Sequence, residues 1–230
     1  MTQVNNKRLL FTLIVTTVSM VFMLISSGQC VTVSSQCFEG DGDTAQRSRM
    51  LNRFDHVVLQ GAFTVTLKRG DDIKCALRGD RNLLSRVMTR VENGQLLICN
   101  EGSLRTKQPL EIELQVPHLT SFSVDGAHEV TIVDIDEDEL TLTLNGANLV
   151  KVTGRAENVQ IELDGSSILD ASNLYVGSAS VVASGTTSSQ LDVNRSLTVK
   201  ATGITEVIYS GAPKTVITDL SGLAEVRTKE

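Results

Sequence analysis

A chain of 230 residues with 41% apolar content is large enough for one substantial domain plus a targeting segment. It has no Trp, 3% aromatic residues and 3 Pro, set among abundant Gly, Ser, Thr and Val, which argues for β-structure with many tight turns and against a helical bundle. A net charge of -6, with acids further enriched between Leu110 and Lys214, excludes nucleic acid as the natural partner, because phosphate binding draws on clustered Lys and Arg.

At the start of the chain Lys7 and Arg8 precede an uncharged apolar run from Leu9 to Ile25, followed by Ser26, Ser27 and Gly28. This charged, apolar, small-residue order is that of an export signal. Residues 1–28 are expected to be a signal peptide cut before Gln29 or, given the length of the run, an N-terminal membrane anchor. Gln29 fits lipid attachment at Cys30 poorly. The chain is thus expected in the periplasm or cell envelope, meeting membrane only through this segment if it stays attached. Residues 29–50, polar and irregular, read as a flexible linker.

The same compartment permits disulfides. Cys75 and Cys99 both sit in strand-like runs, so a bridge between neighbouring strands is expected, leaving Cys30 to pair with Cys37. Three pairings are possible in principle, two buried free thiols are the alternative, and the spacings resemble no metal-ligand cluster.

Residues 51–118 read as a β-rich cap. "FDHVVLQGAFTVTLKRG" and "DDIKCALRGD" give strands separated by a Gly-Asp turn, and "NLLSRVM" gives a short helix with Asn82 as N-cap. "MTRVENGQLLICN" gives a hairpin turning at Asn93-Gly94. "LEIELQVP" puts Leu110, Ile112, Leu114 and Val116 on one face and stops at Pro117.

From residue 119 to 228 the text repeats. Gly126, Gly146, Gly165, Gly185, Gly203 and Gly222 are 20, 19, 20, 18 and 19 residues apart, each preceded by a small polar residue. Apolar residues stand two and four positions before almost every glycine and again four after, with Ser189 the exception, where Leu191 is expected to take its place. A unit of this length cannot bury its own apolar face, but parallel stacking on its neighbours forms continuous inward columns. The expected architecture is all-β, a single-stranded parallel β-helix of about six ~19-residue coils. The glycines are its structural corners, where φ > 0 is needed. The charged ending "EVRTKE" should discourage another chain from adding to the last coil.

The stretch "FDHVVLQGAFTVTLKRGDDIKCALRGDRNLLSRVMTRVENGQLLI", then "PLEIELQVPHLTSFSVDGA", then the serial "LNGA", "LDGSS" and "YSGA" units, resembles the putative auto-transporter adhesin head GIN domain family of bacterial envelope proteins. The resemblance runs from about Phe54 to Val226, making 51–228 a GIN-like domain. The chain departs from the family's regular corner at "GAHEV", "GANLV", "GTTSS" and "GITEV". The resemblance implies an exported, β-helical, adhesion-type domain with no catalytic residues to carry over.

Candidate chemistry is sparse. Asp125, Asn145 and Asp164, each just before a corner glycine, should stack as a polar ladder able to meet a glycan or protein surface. "DIDEDE" offers Asp134, Asp136 and Asp138 to a divalent cation, but without a calcium-loop spacing it reads first as a solvated turn between two coils. His56, His118 and His128 are scattered, no nucleophile elbow or phosphate loop is present, and no cofactor is implied. The favoured function is a non-catalytic envelope binding module. The alternative is a polysaccharide lyase or glycosidase on the same scaffold, using outward carboxylates such as Glu162 and Asp164.

Overall fold

The computed structural model describes residues 36–229, which belong to one compact unit. The expected signal or anchor in residues 1–28, and Cys30, lie outside the described residues.

Among the described residues all regular structure is β apart from one 3-10 turn, Leu84–Arg86. In chain order the strands are β1 (Cys37–Glu39), β2 (Thr44–Arg49), β3 (His56–Gly61), β4 (Thr64–Arg69), β5 (Lys74–Asp80), β6 (Val87–Glu92), β7 (Gln95–Asn100), β8 (Ser103–Arg105) and β9 (Glu111–Val116). They continue with β10 (Ser121–Gly126), β11 (Glu129–Gly146), β12 (Leu149–Gly165), β13 (Ile168–Ala183), β14 (Thr186–Ser210), β15 (Thr215–Gly222) and β16 (Glu225–Thr228). β1 and β8 form a small parallel pair, and the other strands make one 14-stranded sheet that rolls into a nearly closed, barrel-like wall.

The repeating half follows from its alternation. Phe122, Leu142, Ile161, Val181 and Val199 stand in one parallel register, and Val124, Leu144, Leu163, Ala183 and Ala201 in the next inward row. All are buried at 2% exposure or less, as are Val130, Val150 and Leu169 on the adjoining face. A third row runs through Leu140, Val159, Ala179 and Leu197. Each row joins the same hydrophobic core, so a unit too short to bury itself is completed by the units above and below.

The sheet as a whole is nevertheless mixed, its antiparallel pairs all lying before residue 118. β2 with β5, β5 with β9 and β6 with β7 are antiparallel. Of these, β6 and β7 are joined by a short connection that makes the chain double back, whereas β5 meets β2 and β9 across long intervening segments. Asn93 and Gly94, at φ 50° and 79°, form the tight turn that sets Glu92 opposite Gln95. β4 and β5, read as neighbours across a Gly-Asp turn, do not pair with each other, because β9 runs between them.

Further local expectations are corrected. Residues 37–49 are not a linker, since β1 and β2 within them pair with β8 and β5. "NLLSRVM" makes only the 3-10 turn, and Asn82 caps nothing there: its Nδ2 donates to the Glu39 carbonyl and its Oδ1 accepts from Asp41 N–H. "DIDEDE" is not a turn but lies inside β11, where Asp134, at φ 60°, marks a bulge opposite β12. Ser189, expected to break the inward row, keeps its place opposite Leu169 and is 1% exposed.

The disulfide pairings are corrected as well, because Cys37 and Cys75 carry free thiols. Cys75 is opposite Arg49 and Leu114, whereas Cys99 is opposite Gln60 and Met88, so the two are not on neighbouring strands. Burial pushes the Cys75 thiol up to about 11 despite nearby Arg49, leaving it protonated and unreactive at neutral pH.

Asp80 ties the N-terminal segment to this wall. Fully buried, its carboxylate accepts from Gly42 N–H at 2.8 Å, Lys107 N–H at 2.8 Å and Gln108 N–H at 3.1 Å. Burial alone would raise its pKa, but the three backbone donors and the Lys107 charge outweigh that and hold it below the usual range. A depressed native pKa stabilises the fold above the unfolded value of about 4 and loses that contribution as pH falls through the native value. Asp80→Asn should therefore cost about 2–3 kcal/mol at pH 7. The deficit should shrink toward pH 3 in denaturant titrations; an equal deficit at both pH values contradicts this role.

Candidate binding groove at the glycine corner

The six corner glycines stand in one column, and Gly61 extends it by one: Gly61 is in register with Gly126, Gly126 with Gly146, and Gly146 with Gly165. The column thus begins within the region expected to be a cap. At each level the carbonyl of one glycine accepts from the N–H that follows the next, as in Ala127 to Gly61 at 2.9 Å, Ala147 to Gly126 at 2.8 Å and Ser166 to Gly146 at 2.7 Å. This bond draws the carbonyl into the space a side chain would fill. A Cβ on Gly146 would lie 2.2 Å from the Gly126 oxygen.

The predicted polar ladder flanks this column. Asp125, Asn145 and Asp164 are in lateral register. Asp164 Oδ1 accepts from Ser184 Oγ at 2.6 Å and from Gly165 N–H at 3.0 Å, which engages that oxygen within the corner. Glu162 lies between Thr143 and Val182, and burial raises its carboxyl, but neither lateral neighbour is a second carboxylate. Asp136 pairs with Arg69 at 3.0 Å, and among the described residues no three His, Cys, Asp or Glu side chains are placed to hold a metal ion.

A second polar column was missed. Two residues after the glycines stand His128, Asn148, Ser167, Thr187 and Thr205, all at 4% exposure or less. Asn148 Nδ2 donates to the Asn145 carbonyl at 2.8 Å and to Ser167 Oγ at 3.3 Å, while Asn148 Oδ1 accepts from His128 N–H at 3.1 Å. Ser167 Oγ donates to the Gly146 carbonyl at 3.3 Å. Bonds back to the backbone at the bend are what let Asn148 and Ser167 turn inward, whereas the buried hydroxyls of Thr187 and Thr205 have no hydrogen-bond partner among the described residues. The available signal was the polar residue at this position in five successive units.

His128 heads the column and stacks on Phe63 with centroids 5.7 Å apart. Its Nε2 lies 3.3 Å from the Asp125 carbonyl; a carbonyl only accepts, so Nε2 carries the proton. Burial lowers the pKa of the ring, which is therefore neutral at pH 7, and Nδ1 is left as a buried acceptor without a partner. Over these residues runs a groove of about 520 Å³. It is lined by Ala127, Ala147 and Ser166, each just after a corner glycine, by Glu129, Leu149 and Ile168 two residues further on, and by Thr106 and Pro109. Leu149 and Ile168 are about half exposed, at 49% and 52%.

The family model described as "Putative auto-transporter adhesin, head GIN domain" matches residues 53–213. The chain belongs to this family. Solved structures similar to this GIN-domain chain include a putative adhesin from Bacteroides fragilis, 15% identical, covering 84% of this chain and 100% of that one, with a TM-score of 0.70. A putative adhesin from Parabacteroides merdae is 14% identical over 84% and 99% of the two chains, with a TM-score of 0.61. A putative lipid binding protein from Parabacteroides distasonis is 16% identical over 85% and 100%, with a TM-score of 0.55. At these identities the likeness is one of fold. No curated protein matches the GIN-domain chain. Among its described residues no helix is long and apolar enough to cross a membrane.

Proposed function

We propose that this chain is a non-catalytic, adhesion-type binding module, exported to the periplasm or cell envelope, whose parallel units act as β-helical coils presenting a rigid surface to a glycan or protein partner. Family membership supports the adhesion reading. The observation that carries it is the groove at the corner: three successive units each line it with a small residue and, two positions on, with Glu129, Leu149 or Ile168 in fixed backbone register. A surface held by stacked strands loses little entropy on binding, which suits repeated recognition of an extended partner. The ladder of Asp125, Asn145 and Asp164 borders the same corner and supplies hydroxyl- and amide-binding groups beside it.

Exposed Leu149 and Ile168 favour a second reading, an acyl chain in the groove, in keeping with the name of the Parabacteroides distasonis relative.

The test is binding of the purified protein to glycan and peptide arrays and to phosphatidylglycerol vesicles, with a parallel assay for new reducing ends or unsaturated uronates from acidic and neutral polysaccharides. The doubly substituted Leu149→Asp, Ile168→Asp protein should bind the array ligand at least about tenfold more weakly, a loss of about 1.4 kcal/mol, with its melting temperature unchanged. Binding untouched by the double substitution removes the groove from the account, and reproducible polysaccharide turnover removes the non-catalytic reading.

A further inference from the structure

The inward rows do not end in a covered core. β15 continues the register of β14, with Val216 beside Leu197, Thr218 beside Val199 and Leu220 beside Ala201. The β14 members are buried at 1% exposure or less, yet all 8 residues of β15 are exposed, Val216 at 40% and Leu220 at 39%, and Leu223 beyond them reaches 76%. Among the described residues β15 has β14 as its only strand neighbour, so its other edge offers unpaired N–H and C=O groups. Proteins usually protect such an edge with Lys, Pro, a bulge or a covering segment. The strand "TVITDLSG" has none of these and a single charge, Asp219; the charges expected to guard this end sit on β16 instead.

We propose that this edge is a self-association surface, on which two copies pair β15 with β15, antiparallel, about a two-fold axis at Thr218. An antiparallel two-fold must set inward residues against inward residues, so that one copy's core face continues into the other's. Centred on Thr218, the pairing sets Val216 against Leu220 of the second copy, twice, and Thr218 against itself. The half-exposed ends of two inward rows then cover each other. Centring on Asp219 instead sets two carboxylates face to face, and centring on Ile217 sets Val216 against Thr218 and Lys214 against Leu220. The Thr218 register alone keeps the carboxylates apart, each opposite Ile217, while joining apolar to apolar.

Charge also favours a second copy at this end. The chain carries -6 overall, but at this end Lys214, Arg227 and Lys229 balance Asp219, Glu225 and Glu230, so two copies meet without the repulsion their remaining surface brings. The end unit, residues 215–228, is smaller than the 20–30 residues a side of a standard interface, so the dimer should be weak, with a dissociation constant on the order of micromolar.

Sedimentation velocity under reducing conditions, from about 1 to 500 µM protein, should show a concentration-dependent monomer–dimer equilibrium. Ile217→Glu, at an exposed outward position opposite Asp219 of the second copy, sets like charges face to face twice and should weaken it at least about tenfold with an unchanged circular dichroism melt. In a Cys37→Ser background, mild oxidation should convert Thr218→Cys to a covalent dimer and leave Ile217→Cys monomeric, because only residue 218 faces itself. A protein monomeric throughout this range overturns the proposal, even if it captures a strand from another protein. So does a dimer indifferent to Ile217→Glu with no cross-link through residue 218.

Discussion

Gly146→Ala should lower the protein's stability by more than about 4–5 kcal/mol, whereas Gly42→Ala should lower it by only about 1–2 kcal/mol. Both glycines have positive φ, 98° and 84°, so both substitutions carry the strain of placing an L side chain in the left-handed region, about 1–2 kcal/mol. They differ in what the new methyl group meets. At Gly42 the nearest atom is Lys107 Cδ at 3.5 Å, the movable part of a flexible side chain. At Gly146 the methyl would sit 2.2 Å from the Gly126 oxygen, the same oxygen that accepts from Ala147 N–H. Relief requires separating two backbone levels, which breaks that bond and loosens the apolar rows on either side. The combined cost exceeds about 4–5 kcal/mol, a large part of the 5–15 kcal/mol by which domains are ordinarily stable. Soluble yield, circular dichroism and urea titration of the two variants measure the difference, and equal losses contradict the close-approach argument.

Phe122→Ala should cost about 3–5 kcal/mol, against less than about 1 kcal/mol for Leu220→Ala. Phe122 is fully buried and stands between Val57 and Leu142, where the hairpin-containing N-terminal part meets the repeating units, so truncation opens a cavity shared by both. Surroundings held by backbone ladders on two sides cannot collapse into it. Leu220, 39% exposed at the far end of an inward row, leaves no enclosed void when shortened. The row also thins toward that end, from Leu144 and Leu163 to Ala183 and Ala201. Stability should therefore decline along the stack, with the amides of β15 and β16 exchanging by local opening well before those of β10 to β12. Urea midpoints give the first comparison and native-state hydrogen exchange the second.

The repeating half was legible because two independent signals agreed. The apolar period of two named the faces, and the glycine spacing named the level at which each unit bends, so Leu142, Ile161 and Val181 fell into one row before any coordinates. The N-terminal half was not legible for an equally physical reason. β2, "TAQRSR", has almost no apolar alternation, because it is an edge strand held mainly by its backbone bonds to β5. Nothing in its side chains announces a strand. Nor does sequence show that β9 separates β4 from β5, since that choice depends on packing between segments about forty residues apart.

The candidate groove was half legible. Asp125, Asn145 and Asp164 were placed correctly beside one another by the glycine alignment. His128, Asn148 and Ser167 were missed because polar residues at a bend are expected to face water, whereas here carbonyls exposed by the bend accept their hydrogen bonds inside. At the other end of the stack, the charges of "EVRTKE" that fall on β16, Glu225 and Arg227, do not lie on β15, whose residues are all exposed.

Pairwise spin-label distances test the stacked register most directly. Labels on Asp125 paired in turn with labels on Asp164, Ser184, Thr202 and Ser221 sample two, three, four and five strand spacings along one column. Stacking predicts that the mean separation rises by about 4.8 Å at each step, reaching about 24 Å at Ser221. Distances that alternate between short and long, as strands folding back on one another would give, contradict it.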